Sequence, residues 1–315
     1  MRRRIRGLPV WAAVLLAAWA GSAAAGTPSR LARYKQEAVN IATGAVRGLE
    51  LTAKVVEQQA RARENWKKLF GDDKAPHLET EHLLIYGKVP DRPLKDTGAL
   101  LEKAYGLAGG ALALGPGDSW PGKLTVYLFS ERGKFASFLR TVEKRRPEAD
   151  DLGSFEVRSD FPHVAAGPAP ESEGPGVEAQ AAEQLASALL ARRAGTPVPE
   201  WLVAGFGRAT SFRAGPPREL SAERRRAARL LLATKASASD VWDGNLKGGA
   251  ATVLRASLVD FLAYGPGKAR FPALLEGYKP AEGMQTRSTP DALRAANIDP
   301  QALNVRWQSW ARSGR

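Results

Sequence analysis

Residues 177–212 read VEAQAAEQLASALLARRAGTPVPEWLVAGFGRATSF. Residues 177–194 contain neither Gly nor Pro and are rich in Ala, Leu, Glu and Gln, a composition that predicts a helix. Gly195 ends it, and Pro197 and Pro199 follow within a turn. A second helix is predicted from Glu200 to about Phe212. On a helix, residues four apart share one face.

Helix, short Pro-containing turn, then a Trp-Leu-x-x-Gly helix resembles the core of gluzincin zinc peptidases of the peptidase-MA-like kind. In that family the first helix carries H-E-x-x-H and the second carries W-L-x-E-G-x-A. Here the first motif falls on Ala182-Glu183-Gln184-Leu185-Ala186 and the second on Trp201-Leu202-Val203-Ala204-Gly205-Phe206-Gly207. The resemblance implies that Ala182, Ala186 and Ala204 occupy the three ligand positions and Glu183 that of the general base. It also implies a former cleft lined by Glu183, Gln184, Trp201, Gly205 and Arg208. Alanine offers no lone pair, and a catalytic zinc needs three protein ligands plus an open position for water. Without zinc nothing lowers the pKa of the attacking water, so no catalytic residue, metal or cofactor is expected.

Further stretches extend the resemblance over roughly residues 82–311. Residues 123–129 match the family's V-x-V-Y-L strand. Ser257-Leu258-Val259-Asp260-Phe261-Leu262 resembles its Y-x-x-S-x-x-L-V-x-F-L helix, with Leu254 where the family usually has Tyr. Trp307 and Trp310 match its closing W-x-x-W helix.

Outward from the helix pair, a coarse reading covers the rest of the domain. Residues 82–86 and 123–129 read as strands, and 153–166 as two strands around a turn. Helices are predicted at 94–114, 131–146, 219–234, 250–263, 271–278, 290–296 and 302–311. Residues 71–76 are a linker by composition, and 167–176 a Pro/Gly/acidic loop. The class is therefore α+β and mainly helical, with a small mixed or antiparallel sheet and a helical lobe, gluzincin metallopeptidase-like.

Residues 1–25 have the pattern of a secretory signal peptide. Arg2, Arg3, Arg4 and Arg6 form a basic n-region, residues 10–20 an apolar run, and Ala23-x-Ala25 a cleavage end. The alternative is an uncleaved anchor, for which the apolar run is barely long enough. Residues 29–70 read as an amphipathic helix that Gly44 and Gly48 could bend or break; its mixed charges favour a helix packed on its own domain, or a mobile arm, over a coiled-coil or membrane-surface helix. The domains are thus 1–25, signal peptide; 26–76, helix and linker; and 77–315, peptidase-MA-like. The last divides into 77–176, an α/β part; 177–212, the pseudo-active-site pair; and 213–315, a helical part.

Lys plus Arg number 46 against 33 Asp plus Glu, a net charge of +13, and there is no Cys. Disulfides, a Cys nucleophile and Cys-ligated zinc are excluded. The segment from Gly117 to Gly122-Lys123 nearly matches a phosphate loop, but Leu124 replaces the required Ser or Thr and the strand follows instead of preceding it. His77 and His82 fall on opposite faces of an extended chain, which is poor for a shared metal. No G-x-S-x-G elbow occurs, and Asp150-Asp151 reads as a solvated turn. Residues 219–234 carry a basic face at Arg224, Arg225, Arg226 and Arg229.

The leading expectation is an exported, periplasmic or extracellular, non-catalytic pseudopeptidase that binds peptide or protein in the former cleft. One alternative is a basic envelope scaffold that binds anionic polymer or a membrane surface through residues 29–70 and 224–229. Another is a hydrolase with an unrecognised active site. No nucleic-acid partner is expected, and no stable membrane span once the signal is removed.

Overall fold

The computed structural model describes residues 30–71, 74–89, 92–115, 118, 120–169, 176–280 and 287–313, with side chains from Glu50 onward. The signal-peptide segment and most of the 167–176 loop lie outside the described residues. The chain divides into two units, residues 1–50 and 51–315. Helix α1 (Arg30–Phe70) runs unbroken past Gly44 and Gly48, and its second half belongs to the larger unit.

A mixed five-stranded sheet is built from β1 (His77–Glu79), β2 (Leu83–Gly87), β3 (Leu124–Leu128), β4 (Gly153–Glu156) and β5 (His163–Ala166), in the order β1-β2-β3-β5-β4. The central three strands are parallel, and both edges pair antiparallel. Strand alternation sends Leu83, Ile85, Val126 and Val164 to one face, beneath α2 (Leu94–Leu112) and α4 (Val177–Ala194). Leu84, Tyr86, Tyr127 and Ala165 point the other way, onto Trp66 of α1 and onto Phe135 and Phe138 of α3 (Arg132–Thr141). A sheet covered on both faces explains why β2 and β3 are buried along their whole length and mostly apolar.

On that second face Trp66 stacks at 4.2 Å on Phe70 and 6.1 Å from Phe129. Such pairs contribute about 0.5–1.5 kcal/mol each beyond the area they bury. Gln58, 2% exposed, fixes the register of α1. Its amide donates to the Pro121 carbonyl at 3.1 Å and accepts from the Lys123 backbone N–H at 2.9 Å.

The helical lobe follows: α5 (Glu200–Ala214), α6 (Pro217–Thr234), α7 (Ala238–Trp242), α8 (Gly248–Ala263), α9 (Phe271–Gly277), α10 (Thr289–Ala295) and α11 (Pro300–Arg312). Its polar centre is Asp260 of α8, 4% exposed. Arg213 of α5 donates to one carboxylate oxygen, and Arg224 of α6 reaches the other at 3.1 and 3.2 Å. Arg224 also lies over the Trp310 ring. One carboxylate therefore ties together α5, α6 and α8, beside α11.

Three elements depart from the sequence reading. Helix α3 ends at Thr141, not Arg146. Lys144 takes a left-handed φ of 57°, Pro147 disfavours a helical Arg146, and Arg145 turns to bind Asp151 through two bonds of 2.8 and 3.2 Å. Strand β1, at His77–Glu79, follows the expected linker of residues 71–76, in a stretch where no strand was expected. Helix α7 was not anticipated, although Ser237 and Asp240 form a capping box at its start. Among the described residues no helix is long and apolar enough to cross a membrane.

Candidate functional site

Helices α4 and α5 run antiparallel. Ser187 Oγ donates to the Val203 carbonyl at 3.1 Å, and Ser211 Oγ donates to the Ala179 carbonyl at 2.8 Å. Between these bonds Gly207 meets Glu183: a Cβ on Gly207 would stand 2.5 Å from the Glu183 carbonyl oxygen. Gly205 does the same toward α8, where a Cβ would stand 2.7 Å from Val259 Cγ2 and 2.8 Å from the Arg255 carbonyl oxygen. Two glycines two residues apart let α5 lie flat between α4 and α8, with nearly direct backbone contact on both sides.

The three ligand positions implied by the resemblance lie in different surroundings. Ala182 and Ala186 are fully buried in the main core, and Ala204 is half-buried. None of these side chains can donate to a metal, so the residues present do not fit zinc. Among the described residues no group of three or more His, Cys, Asp or Glu is arranged to hold a metal ion.

Glu183 is half-buried and opens into a cleft of about 710 Å³ formed by α4, α5 and α6, with Leu100 of α2 and Arg92 at its edge. Burial pushes its carboxyl up to about 7, because the charged form loses hydration. Arg208 pulls the other way, and Glu223 opposes Arg208. The reason is geometric: Arg208 Nε donates to Glu223 Oε1 at 3.0 Å, so its charge is largely spent, and the guanidinium stacks on Phe212 at 5.0 Å. Nearer the rim, Arg92 pairs with Glu178 at 3.6 Å, while Glu219 and Arg226 are exposed.

Of the cleft residues implied by the resemblance, the structure brings Glu183 and Arg208 together in this recess. Gln184 lies on the far flank of α4 and lines a separate cleft of about 590 Å³. Trp201 is buried: its indole N–H donates to Thr289 at 3.3 Å and its ring packs near Trp242. Gly205 faces α8. Sequence reasoning missed Glu223, Glu178 and Arg92. The adjoining Arg224-Arg225-Arg226 run drew attention away from Glu223, whose partner lies on another helix.

The second cleft holds His163, Glu143 and Ser154. Ser154 Oγ donates to Glu143 Oε1 at 2.5 Å, and His163 Nε2 lies 3.3 Å from the same oxygen. The carboxylate thus stands between serine and imidazole. In a Ser-His-acid triad the imidazole must touch the hydroxyl, so this cluster lacks the order that activates a nucleophile. His77 stacks on Tyr86, and His82 stacks on Tyr105 with its Nδ1 2.7 Å from Glu102. No protein-family profile, curated protein or solved structure matches the chain.

Proposed function

We propose that this chain is a non-catalytic relative of gluzincin peptidases, exported from the cell, that holds a peptide segment in the Glu183 cleft. The observation that carries the reading is the helix pair itself. The two helices pack antiparallel, Glu183 opens into a ligand-sized recess, and alanine stands at every position to which the resemblance assigns a zinc ligand. A volume of about 710 Å³ lies within the ~300–1,000 Å³ usual for ligand sites. Charges of both signs around the recess suit a polypeptide better than a purely apolar ligand. Export rests on the pattern of residues 1–25, and the mature chain is expected to begin near Gly26, which intact mass of the exported protein would test.

The anionic-polymer reading draws on exposed Arg225, Arg226 and Arg229 of α6. It is weaker by one charge, because Arg224 is committed to Asp260.

The test is a random heptapeptide library passed over immobilised protein, with Ala179→Phe as a plug in the cleft wall. The parent should retain peptides and cleave none, with or without added zinc, and the plugged variant should retain far fewer. Cleavage of any peptide, or retention indifferent to the plug, overturns the reading.

A further inference from the structure

The cleft contains an imbalance of charge. Arg92 is engaged by Glu178, and Arg208 by Glu223. Glu219 and Arg226 stand exposed at the rim. Glu183 is the remaining charged group, it lies deeper than either rim residue, and among the described residues no hydrogen bond or ion pair reaches its carboxylate. The cleft as a whole sets three guanidinium groups, Arg92, Arg208 and Arg226, against four carboxyl groups, Glu178, Glu183, Glu219 and Glu223. An anionic ligand would find Arg208, beside Glu183, and Arg92, at the edge, already paired with carboxylates. A cation would find an unpartnered carboxyl group that can ionise against it.

We propose that the Glu183 recess is a specificity pocket for a cationic side chain, a lysine or arginine of a bound peptide, whose ammonium or guanidinium group becomes the counter-ion of Glu183. This rests on the peptide-binding reading above. Leu100 and Phe212 line the same cleft and offer apolar surface to the methylene stem of a long basic residue. The exposed Glu219 adds negative potential at the entrance, and Arg226 partly offsets it.

The assignment has a protonic signature. Burial keeps much of Glu183 in its acid form below about pH 7. A cation that binds there favours the carboxylate, so binding at pH 6.5 must release protons to the buffer. A neutral ligand that accepts a hydrogen bond from the protonated carboxyl would do the reverse and take protons up.

The probe is a set of end-blocked pentapeptides, Ala-Ala-Xaa-Ala-Ala, with lysine, arginine, norleucine or glutamate at the centre. Each is titrated by calorimetry at pH 6.5 in two buffers of different ionisation enthalpy. The lysine or arginine peptide should bind at least ~10-fold tighter than norleucine and release a fraction of a proton. Glu183→Gln should remove both effects, whereas Glu156→Gln, in the other cleft, should change neither. Glu183→Lys, which brings its own cation, should reject the basic peptides while a thermal melt shows it folded. If norleucine binds as well as lysine, or protons are taken up, the cationic assignment falls and peptide binding stands. If none of the four peptides binds and the heptapeptide library is also not retained, both fall.

Discussion

The Gly207 Cα stands so close to Glu183 that a methyl group added there would lie 3.0 Å from the glutamate's Cγ and 2.5 Å from its carbonyl oxygen. The second contact is with backbone and cannot be relieved by a side-chain rotation. Gly207→Ala should therefore force α5 away from α4. Overpacking costs ~1–3 kcal/mol and outweighs the gain of up to about 1 kcal/mol that alanine brings to a helix. Gly106→Ala in α2 is the control, because nothing lies within 4 Å of its would-be Cβ. Urea melts should show the first variant less stable than the parent and the second slightly more stable.

The Glu183 carboxyl makes stability depend on pH in a definite direction. Its folded value of about 7 lies above the ordinary 4.5, so the folded chain binds more protons than the unfolded chain between those limits. Stability from this group is thus full below about pH 4.5 and is lost as pH rises through 7. The difference amounts to about 3 kcal/mol at most. Glu183→Gln should match the parent near pH 5 and exceed it at pH 8. Parallel curves for the two proteins across that range would contradict the burial argument.

Asp260 is the carboxylate on which three helices meet. Asp260→Ala leaves Arg213 and Arg224 partly buried without their partner, which costs about 3–5 kcal/mol. Glu64→Gln on α1, which breaks only exposed pairs with Arg61 and Lys68, should leave the melting midpoint where it was. Differential scanning calorimetry of the two variants separates these cases. A small effect at Asp260 would mean that the arginines find other acceptors.

The reconstruction Ala182→His, Ala186→His and Ala204→Glu tests the ancestry of the frame. Two of the three positions are fully buried, so the metal-free variant should lose several kcal/mol from crowding and buried polar groups. If the three positions converge, zinc at micromolar concentration should restore much of the loss and raise the melting temperature, while the parent shows no shift. A folded triple variant indifferent to zinc removes the gluzincin proposal.

Much of the fold could be read directly because its signals are local. The α4 boundaries at Val177 and Ala194 follow from composition and from Gly195, which takes a φ of 64° just past the end. Strand β2 announces itself as a short apolar run, β3 as an alternating one, and β4 and β5 as two strands around a turn. The α/β part departed from the reading where side chains compete with the backbone: Arg145 leaves a helical pattern to satisfy Asp151, and no window over residues 131–146 contains that reason. The site divides in the same way. Glu183 and Arg208, which the resemblance assigns to one cleft, do line one recess. The pairing of Arg208 with Glu223, and of Arg224 with Asp260, depends on how α6 settles against α5 and α8, which is a tertiary outcome. Arg224 looks like a member of a solvated basic face until its partner is seen.

Gly153 brings β4 close to the other flank of α4: a Cβ there would stand 2.5 Å from Gln184 Cγ, a side-chain contact where Gly207 meets backbone. The helix that carries Glu183 is thus closely packed on both flanks, by a strand on one side and by the backbone of a helix on the other. Such a wall is preorganised. The entropy of fixing the Glu183 backbone is lost when the chain folds, not when a ligand arrives. Differences in affinity among ligands should then follow from the groups they present to a rigid recess. Association should proceed without a slow reshaping step, and no amide along α4 should change its hydrogen-exchange rate by more than simple covering allows.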